Sequence, residues 1–237
     1  MSSLSKVQLY CAWFCPFAQR AWIALNEKQV DYEYIETDPY NKTPEFLSVC
    51  PRGLVPSVVH NGKPIYESIV LVEYIDEVWK KEVNLLPDDP YDRAMAKIWV
   101  DFISKKIVPV FYAILQKQDK AGQETAKEAF MKNLETLTGA MSKQGPYFFG
   151  ANFGFVDIML VPYTFRLRLL AHYRGLEVPT NGVFERLQTW MKAAHSRESV
   201  KSTLPEWERL VAVYQRYADN TAKTEVAEAI RAGTALP

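Results

Sequence analysis

The chain has 237 residues, 48% of them hydrophobic and 24% charged, with 28 basic side chains against 28 acidic ones. That length holds one large or two ordinary domains with a substantial core, and the even charge removes the electrostatic case for nucleic acid or an anionic membrane surface. The longest apolar run, 107–115, is too short to cross a bilayer and carries Pro109, so no membrane insertion is expected. No basic-then-apolar segment opens the chain, and three cysteines at irregular spacing argue against a disulfide framework. Both point to a cytoplasmic protein. His60, His172 and His195 have no Cys or His at ligand spacing, so no metal is expected. The absence of GxGxxG, Walker-type and GxSxG motifs leaves a nucleotide cofactor without support.

In chain order, Val7, Leu9 and Cys11 alternate with Gln8 and Tyr10 as in a short strand. Phe17, Ala21, Ala24 and Leu25 then share one helical face, and 31–36 alternates again. Asn61-Gly62 is a two-residue hairpin signal joining strands at 55–60 and 63–67. Ser68 caps a helix whose apolar residues Leu71, Val72, Ile75 and Trp79 recur every three or four positions. Two strands joined by a helix pair in parallel through a right-handed crossover. With the hairpin this gives βαβ-ββα, the order of a thioredoxin-like domain.

The proline-bracketed stretch from Leu86 to Pro90 reads as a linker, after which strand signals vanish. Helical periodicity is expected over 92–118, 123–142, 154–172, 183–194 and 205–219, the first kinked by Pro109. Phe153 and Ile158 sit at the spacing of a hydrophobic staple around Gly154, with Asp157 at the third helical position. The partition is therefore an α/β domain over 1–85, a linker over 86–91, an all-helical domain over 92–220 and a tail over 221–237. One helical turn around 225–231 is expected in that tail, followed by a loose end.

Cys15-Pro16-Phe17-Ala18 stands between the first strand and the first helix. A thiol there faces main-chain N–H groups and the positive end of a helix dipole, which favour its ionised form near neutral pH. Pro16 suits the first helical position, because its missing N–H has no partner to lose. No cysteine lies three residues on. Cys11, taken as four residues back along an extended strand, is about 13 Å away and beyond disulfide reach. A monothiol route is the expectation, and Cys50 is left without a role. Arg20, five residues on, is not counted as a cation acting directly on the sulfur.

Four motifs in order then carry a resemblance: Cys15-Pro16-Phe17-Ala18-Gln19-Arg20, Gly53-Leu54-Val55-Pro56, Ile65-Tyr66-Glu67-Ser68, and the stretch from Leu85 to Tyr91. Together they resemble cysteine-type glutathione transferases, most like the omega class, with the plant lambda class next. Gly154 departs from the family's common Ser or Thr cap. The resemblance implies a glutathione-binding thioredoxin-like domain, an all-helical second domain, a homodimer and glutathione as co-substrate. It implies Cys15 as the catalytic nucleophile, Val55 as the main-chain partner of glutathione and Pro56 as a cis-proline. Glu67 and Ser68 are implied at the γ-glutamyl end, with Phe17 and Lys42 in the same site. Taken alone, Ser68 is a helix cap, Glu67 and Lys42 are solvated charges, and Val-Pro is a strand edge.

The chemistry implied is thiol transfer and reduction of a disulfide or oxidised co-substrate through a Cys15–glutathione mixed disulfide. Two alternatives stand beside it. One is conjugation of glutathione to electrophiles, for which Tyr10 is the nearby hydroxyl, although its position suits packing. The other is a non-catalytic carrier of hydrophobic ligands. Trp99, Phe102, Phe111, Tyr112, Phe165, Tyr173 and Trp207 read as core at helical spacing, with a co-substrate pocket as the competing reading.

Overall fold

The computed structural model describes residues 7–81 and 84–236. The start of the 1–85 span, its residues 82 and 83, and the last residue of the 221–237 tail lie outside the described residues. The chain forms two compact units, one from Met1–Asp88 with Arg197–Pro205, the other from Asp89–Ser196 with Glu206–Pro237.

In the first unit, β1 (Val7–Cys11), α1 (Pro16–Glu27), β2 (Glu33–Glu36), α2 (Pro44–Val49), β3 (Ser57–His60), β4 (Lys63–Tyr66) and α3 (Ser68–Val78) follow in order. The sheet order is β2-β1-β3-β4, with β1 parallel to β2 and antiparallel to β3, and β3 antiparallel to β4. The expected βαβ-ββα order is thus present. Leu9 and Val58 face each other across the β1–β3 ladder and are fully buried. Asn61 and Gly62 both take positive φ, 53° and 77°, which turns the chain between the paired His60 and Lys63. Small residues Ala18, Ala21 and Ala24 let α1 pack closely against the sheet and α3.

Two short helices of this unit were not foreseen, α2 and one over Glu198–Lys201. Helix α2 is a single short turn started by Thr43, whose Oγ1 accepts the Phe46 N–H at 3.2 Å, with Pro44 as its first residue. The Thr-Pro-Glu run was the available signal. Phe46 of this helix stacks on Tyr10 at 5.8 Å between ring centres, so Tyr10 is buried although strand alternation places it opposite Leu9. A central strand is covered on both faces.

The linker stretch is anchored. Leu85 and Leu86 donate their N–H groups to Asp76 at 2.7 and 3.0 Å, and Asp76 pairs with the buried Lys28 at 2.6 Å. The second unit then opens at Asp89, which caps α4 (Pro90–Phe102) by accepting from the Tyr91 and Asp92 N–H groups.

The single kinked helix expected over 92–118 is instead α4, a π-helical turn (Ile103–Ile107) and α5 (Val108–Gln116). Pro109 lacks the N–H that an uninterrupted helix needs and its ring crowds the preceding turn; the wider π turn just before it absorbs both faults. After α6 (Lys120–Gly139), the helix expected over 154–172 is likewise divided, into α7 (Phe155–Phe165) and α8 (Leu167–Arg174). The break falls at Arg166, a fully buried residue whose guanidinium donates to the Pro162 carbonyl at 2.7 Å and to Tyr214 Oη at 3.1 Å. Its side chain takes over a carbonyl that an unbroken helix would have satisfied with a main-chain N–H.

Three further helices follow, α9 (Phe184–Ser196), the short α10 (Glu198–Lys201) and α11 (Trp207–Ala218). The tail holds a two-turn helix, α12 (Glu225–Ala232), rather than one turn and a loose end. Thr224 caps it, Gly233 closes it at φ 66°, and the Gln116 amide donates to its Ala227 carbonyl at 3.1 Å. Among the described residues no helix is long and apolar enough to cross a membrane.

Asp157 organises the start of α7. It is buried and accepts from the Phe148 N–H and the Gly154 N–H, both at 2.9 Å, and from the Trp190 indole at 2.5 Å. Gly154 has no side chain to return a bond, so only the carboxylate half of a capping box is present. Burial raises the Asp157 carboxyl to about 6 despite those three donors. Asp157→Ala is expected to cost about 2–4 kcal/mol in denaturant unfolding at pH 7, because three donors, two of them buried, lose their acceptor. The raised carboxyl also means that the folded state binds the extra proton. The stability difference between wild type and Asp157→Asn should therefore fall as pH rises from the ordinary Asp value to about 6, then level off.

Candidate active site

Cys15 occupies the cap position of α1 with an extended backbone, and Pro16 is the first helical residue. Its N–H donates to the Ala12 carbonyl at 2.9 Å and its carbonyl accepts the Gln19 N–H at 3.0 Å. The side chain makes no capping bond and is partly exposed. The sulfur lies 3.9 Å from the Val55 carbonyl oxygen, a loose S–H···O contact that brings the 15 and 55 positions together. The Val55–Pro56 peptide is cis.

The bond from Cys15 to Ala12 corrects one step of the sequence reading. Residues 12–15 form a turn, so the path from Cys11 to Cys15 is not extended. Cys11 is set apart by burial instead: it is fully enclosed, and desolvation pushes its thiol well above the ordinary range. Cys50 is buried too, and none of the three cysteines is in a disulfide. Tyr10 is packed on Phe46 as the sequence suggested.

Ser68 opens α3 and is nearly buried, while Glu67 before it is half-exposed. Glu67 has φ 75° and ψ 117°, a conformation side chains rarely adopt. Strain of this kind persists where the surroundings over-determine it, and it clusters at binding sites. Two cations that sequence reasoning did not assign to the site tie these residues together. Arg20 is buried, donates to Ser68 Oγ at 3.3 Å and lies 5.1 Å from the centre of the Phe17 ring. Arg52 pairs with Glu67 at 2.8 Å, and its carbonyl accepts from Lys42 Nζ at 3.0 Å. Arg20 thus connects Phe17 to Ser68, and Arg52 connects Lys42 to Glu67. The only sequence signal for Arg52 was a charge beside the Gly53 turn.

Gly53 is required at that turn. Its φ is 63°, and an added Cβ would meet Lys42 Cδ at 2.4 Å. Gly53→Ala is expected to lose about 1 kcal/mol in a thermal or denaturant melt from the left-handed backbone alone. Any Lys42 displacement adds to that loss.

The seven aromatics proposed as core or pocket all pack within the helical unit. Trp99 meets Phe102 and Phe148, Phe111 meets Tyr163, Tyr112 meets Tyr217 and Phe165 meets His195. Tyr173 Oη donates to the Val211 carbonyl at 2.7 Å, and the Arg168 guanidinium lies 4.1 Å over Trp207. Among the described residues no group of three or more His, Cys, Asp or Glu side chains gathers as a metal site.

Residues 14–78 match the family described as Glutathione S-transferase, N-terminal domain, and residues 113–193 match Glutathione S-transferase, C-terminal domain. A probable glutathione S-transferase parC of Nicotiana tabacum is 42% identical over 203 residues, covering 85% of this chain and 90% of that protein. This chain belongs to the glutathione S-transferase family. Membership makes it a glutathione transferase, with glutathione as co-substrate.

Among solved structures, glutathione transferase Omega 3C from Trametes versicolor is 40% identical with a TM-score of 0.83, covering 92% of each chain. A Tau class glutathione S-transferase from mango, Mangifera indica, is 32% identical with a TM-score of 0.84, covering 90% of this chain and 98% of that one. The superfamily reading and the two-part fold stand. The fold does not separate omega from Tau, because both neighbours superpose equally well.

Proposed function

We propose that the protein is a glutathione-dependent thiol transferase and reductase working through a monothiol mechanism at Cys15, with omega-like chemistry. The observation that carries this reading is the placement of a partly exposed sulfur at the start of α1, 3.9 Å from the Val55 carbonyl, while Cys11 and Cys50 are buried. Main-chain N–H groups and the dipole of α1 favour negative charge at that point.

In this reading glutathione lies along the Val55–Pro56 strand edge, its cysteinyl part pairing with the Val55 main chain. Its γ-glutamyl carboxylate meets Ser68 at the start of α3, and its ammonium meets Glu67. Lys42 and Phe17 complete the site. With a mixed disulfide between glutathione and a substrate thiol, the Cys15 thiolate attacks the glutathione sulfur. The Cys15–glutathione disulfide forms, the substrate's S–S bond breaks, and the substrate thiolate leaves to take up a proton. A second glutathione thiolate then attacks the bound glutathione sulfur, releasing glutathione disulfide and restoring Cys15. The substrate sulfur is reduced and two glutathione sulfurs end oxidised. Dehydroascorbate-type substrates fit the same balance, consuming two glutathione thiols per ascorbate released.

The protein is further proposed to act as a cytoplasmic homodimer, with exposed Tyr66 and Val70 of the first unit as apolar surface for assembly. Light scattering on the purified chain checks this, and a monomer at micromolar concentration would contradict it.

A second reading, glutathione conjugation to electrophiles, is favoured by the names of the relatives, which are glutathione S-transferases. Steady-state rates separate the two. Wild type should reduce a glutathione mixed disulfide and dehydroascorbate faster than it conjugates an aromatic halide, and Cys15→Ser should bring both reductions to background. Undiminished reduction by Cys15→Ser would remove the cysteine mechanism.

A further inference from the structure

The proposed glutathione site contains a cation of its own. Glu67 is the carboxylate assigned to the ammonium of glutathione, and Arg52 Nη1 already lies 2.8 Å from its Oε1. Both side chains are close to half-exposed, 42% for Arg52 and 45% for Glu67, so a ligand can reach the pair from solvent.

Neither partner is there by the pull of the other alone. Glu67 is aimed by a backbone at φ 75°, fixed between β4 and the first turn of α3, where its carbonyl accepts the Leu71 N–H at 2.8 Å. Arg52 is held through its main chain: its carbonyl accepts from Lys42 Nζ, and Gly53 next to it takes a left-handed turn that leaves room for the Lys42 side chain. Thr43, Pro44 and α2 then carry this segment toward Cys50, whose carbonyl accepts the Gly53 N–H at 2.8 Å. The guanidinium is thus presented to Glu67 by a built loop.

We infer that Arg52 is a resident counter-ion of Glu67 that glutathione must displace, making Arg52 a specificity-determining residue for the γ-glutamyl end. The inference rests on the reading of Glu67 as the ammonium's partner. An ammonium arriving at an empty carboxylate gains a full ion pair, whereas here it gains only the difference between its own contact and that of Arg52. A simple amine therefore wins little at Glu67. A ligand that also engages Ser68 and the Val55 main chain has other contacts to offset the exchange, so selection falls on the complete tripeptide.

Calorimetric binding on the full chain tests this with two probes, glutathione and glutaryl-cysteinyl-glycine, which is glutathione without its α-amino group. Exposed ion pairs of this kind correspond to about 1.4–5-fold in affinity. Arg52→Ala should therefore tighten glutathione by about 2–5-fold and leave the amine-free analogue within about 1.5-fold of wild type. Arg52→Gln, which keeps most of the side chain, should behave alike and guards against a folding artefact. Weaker or unchanged glutathione binding in both variants, or equal tightening of both probes, overturns the inference. Glu67→Gln separates it from the reading beneath. If Glu67→Gln leaves glutathione affinity unchanged, the assignment of Glu67 fails. If it weakens glutathione while neither Arg52 variant tightens it, only the counter-ion inference fails.

Discussion

The site depends on the way residues 12–15 end β1 and begin α1. The Ala12 carbonyl takes the Cys15 N–H, the Cys15 carbonyl takes the Gln19 N–H, and Pro16 is the first helical residue at no hydrogen-bonding cost. With the main chain held on both sides, the thiol is presented at the helix start without serving as the cap. A side-chain cap of the usual Ser or Asp kind spends its heteroatom on the helix. The cap position here is filled by a residue whose heteroatom is left to face the Val55 carbonyl.

Around that corner the α/β unit works as a bracket. Parallel β1 and β2 and antiparallel β3 place Cys15 and Val55 side by side, because β1 and β3 are neighbours and both residues flank the same end of the ladder. Buried Arg20 joins α1 to the first residue of α3, so Ser68 is located by the helix that also carries the thiol. The Lys42–Arg52–Glu67 chain locates Glu67, next to Ser68 at the same γ-glutamyl end of the proposed ligand. Geometry at that end comes from charged side chains bonded to named partners, and the alanine-rich face of α1 supplies close packing behind them.

Much of this was legible from the residues. Period-two alternation marked β1 and β2, and Asn61-Gly62 fixed the hairpin because few other pairs accept positive φ twice. The order of four motifs carried the family. What was not legible involved partners distant in sequence. The division of 154–172 depends on Arg166 reaching Pro162 and Tyr214, which periodicity cannot register. The segment 197–205 belongs to the first unit through Arg197 on Glu27 and the Gln19 amide on Thr203, although in sequence it falls inside the span 92–220 read as the helical domain, between the helices expected over 183–194 and 205–219. Arg20 was set aside as too far along the helix to act on the sulfur and Arg52 had no reading of its own; only the fold turns one into a buried tie and the other into a partner for Glu67. The turn at 12–15 was missed for a local reason: Ala-Trp-Phe carries none of the residues that usually announce a turn.

The central claim is that Cys15, alone among the three cysteines, is the sulfur that exchanges with glutathione. Peptide mapping by mass spectrometry after brief exposure of the native protein to glutathione disulfide tests it most directly. One glutathionyl adduct is expected, on the peptide containing Cys15, removable by excess glutathione, with Cys11 and Cys50 unmodified. An adduct on Cys50 or Cys11 in place of Cys15, or a native protein that takes none, would contradict it.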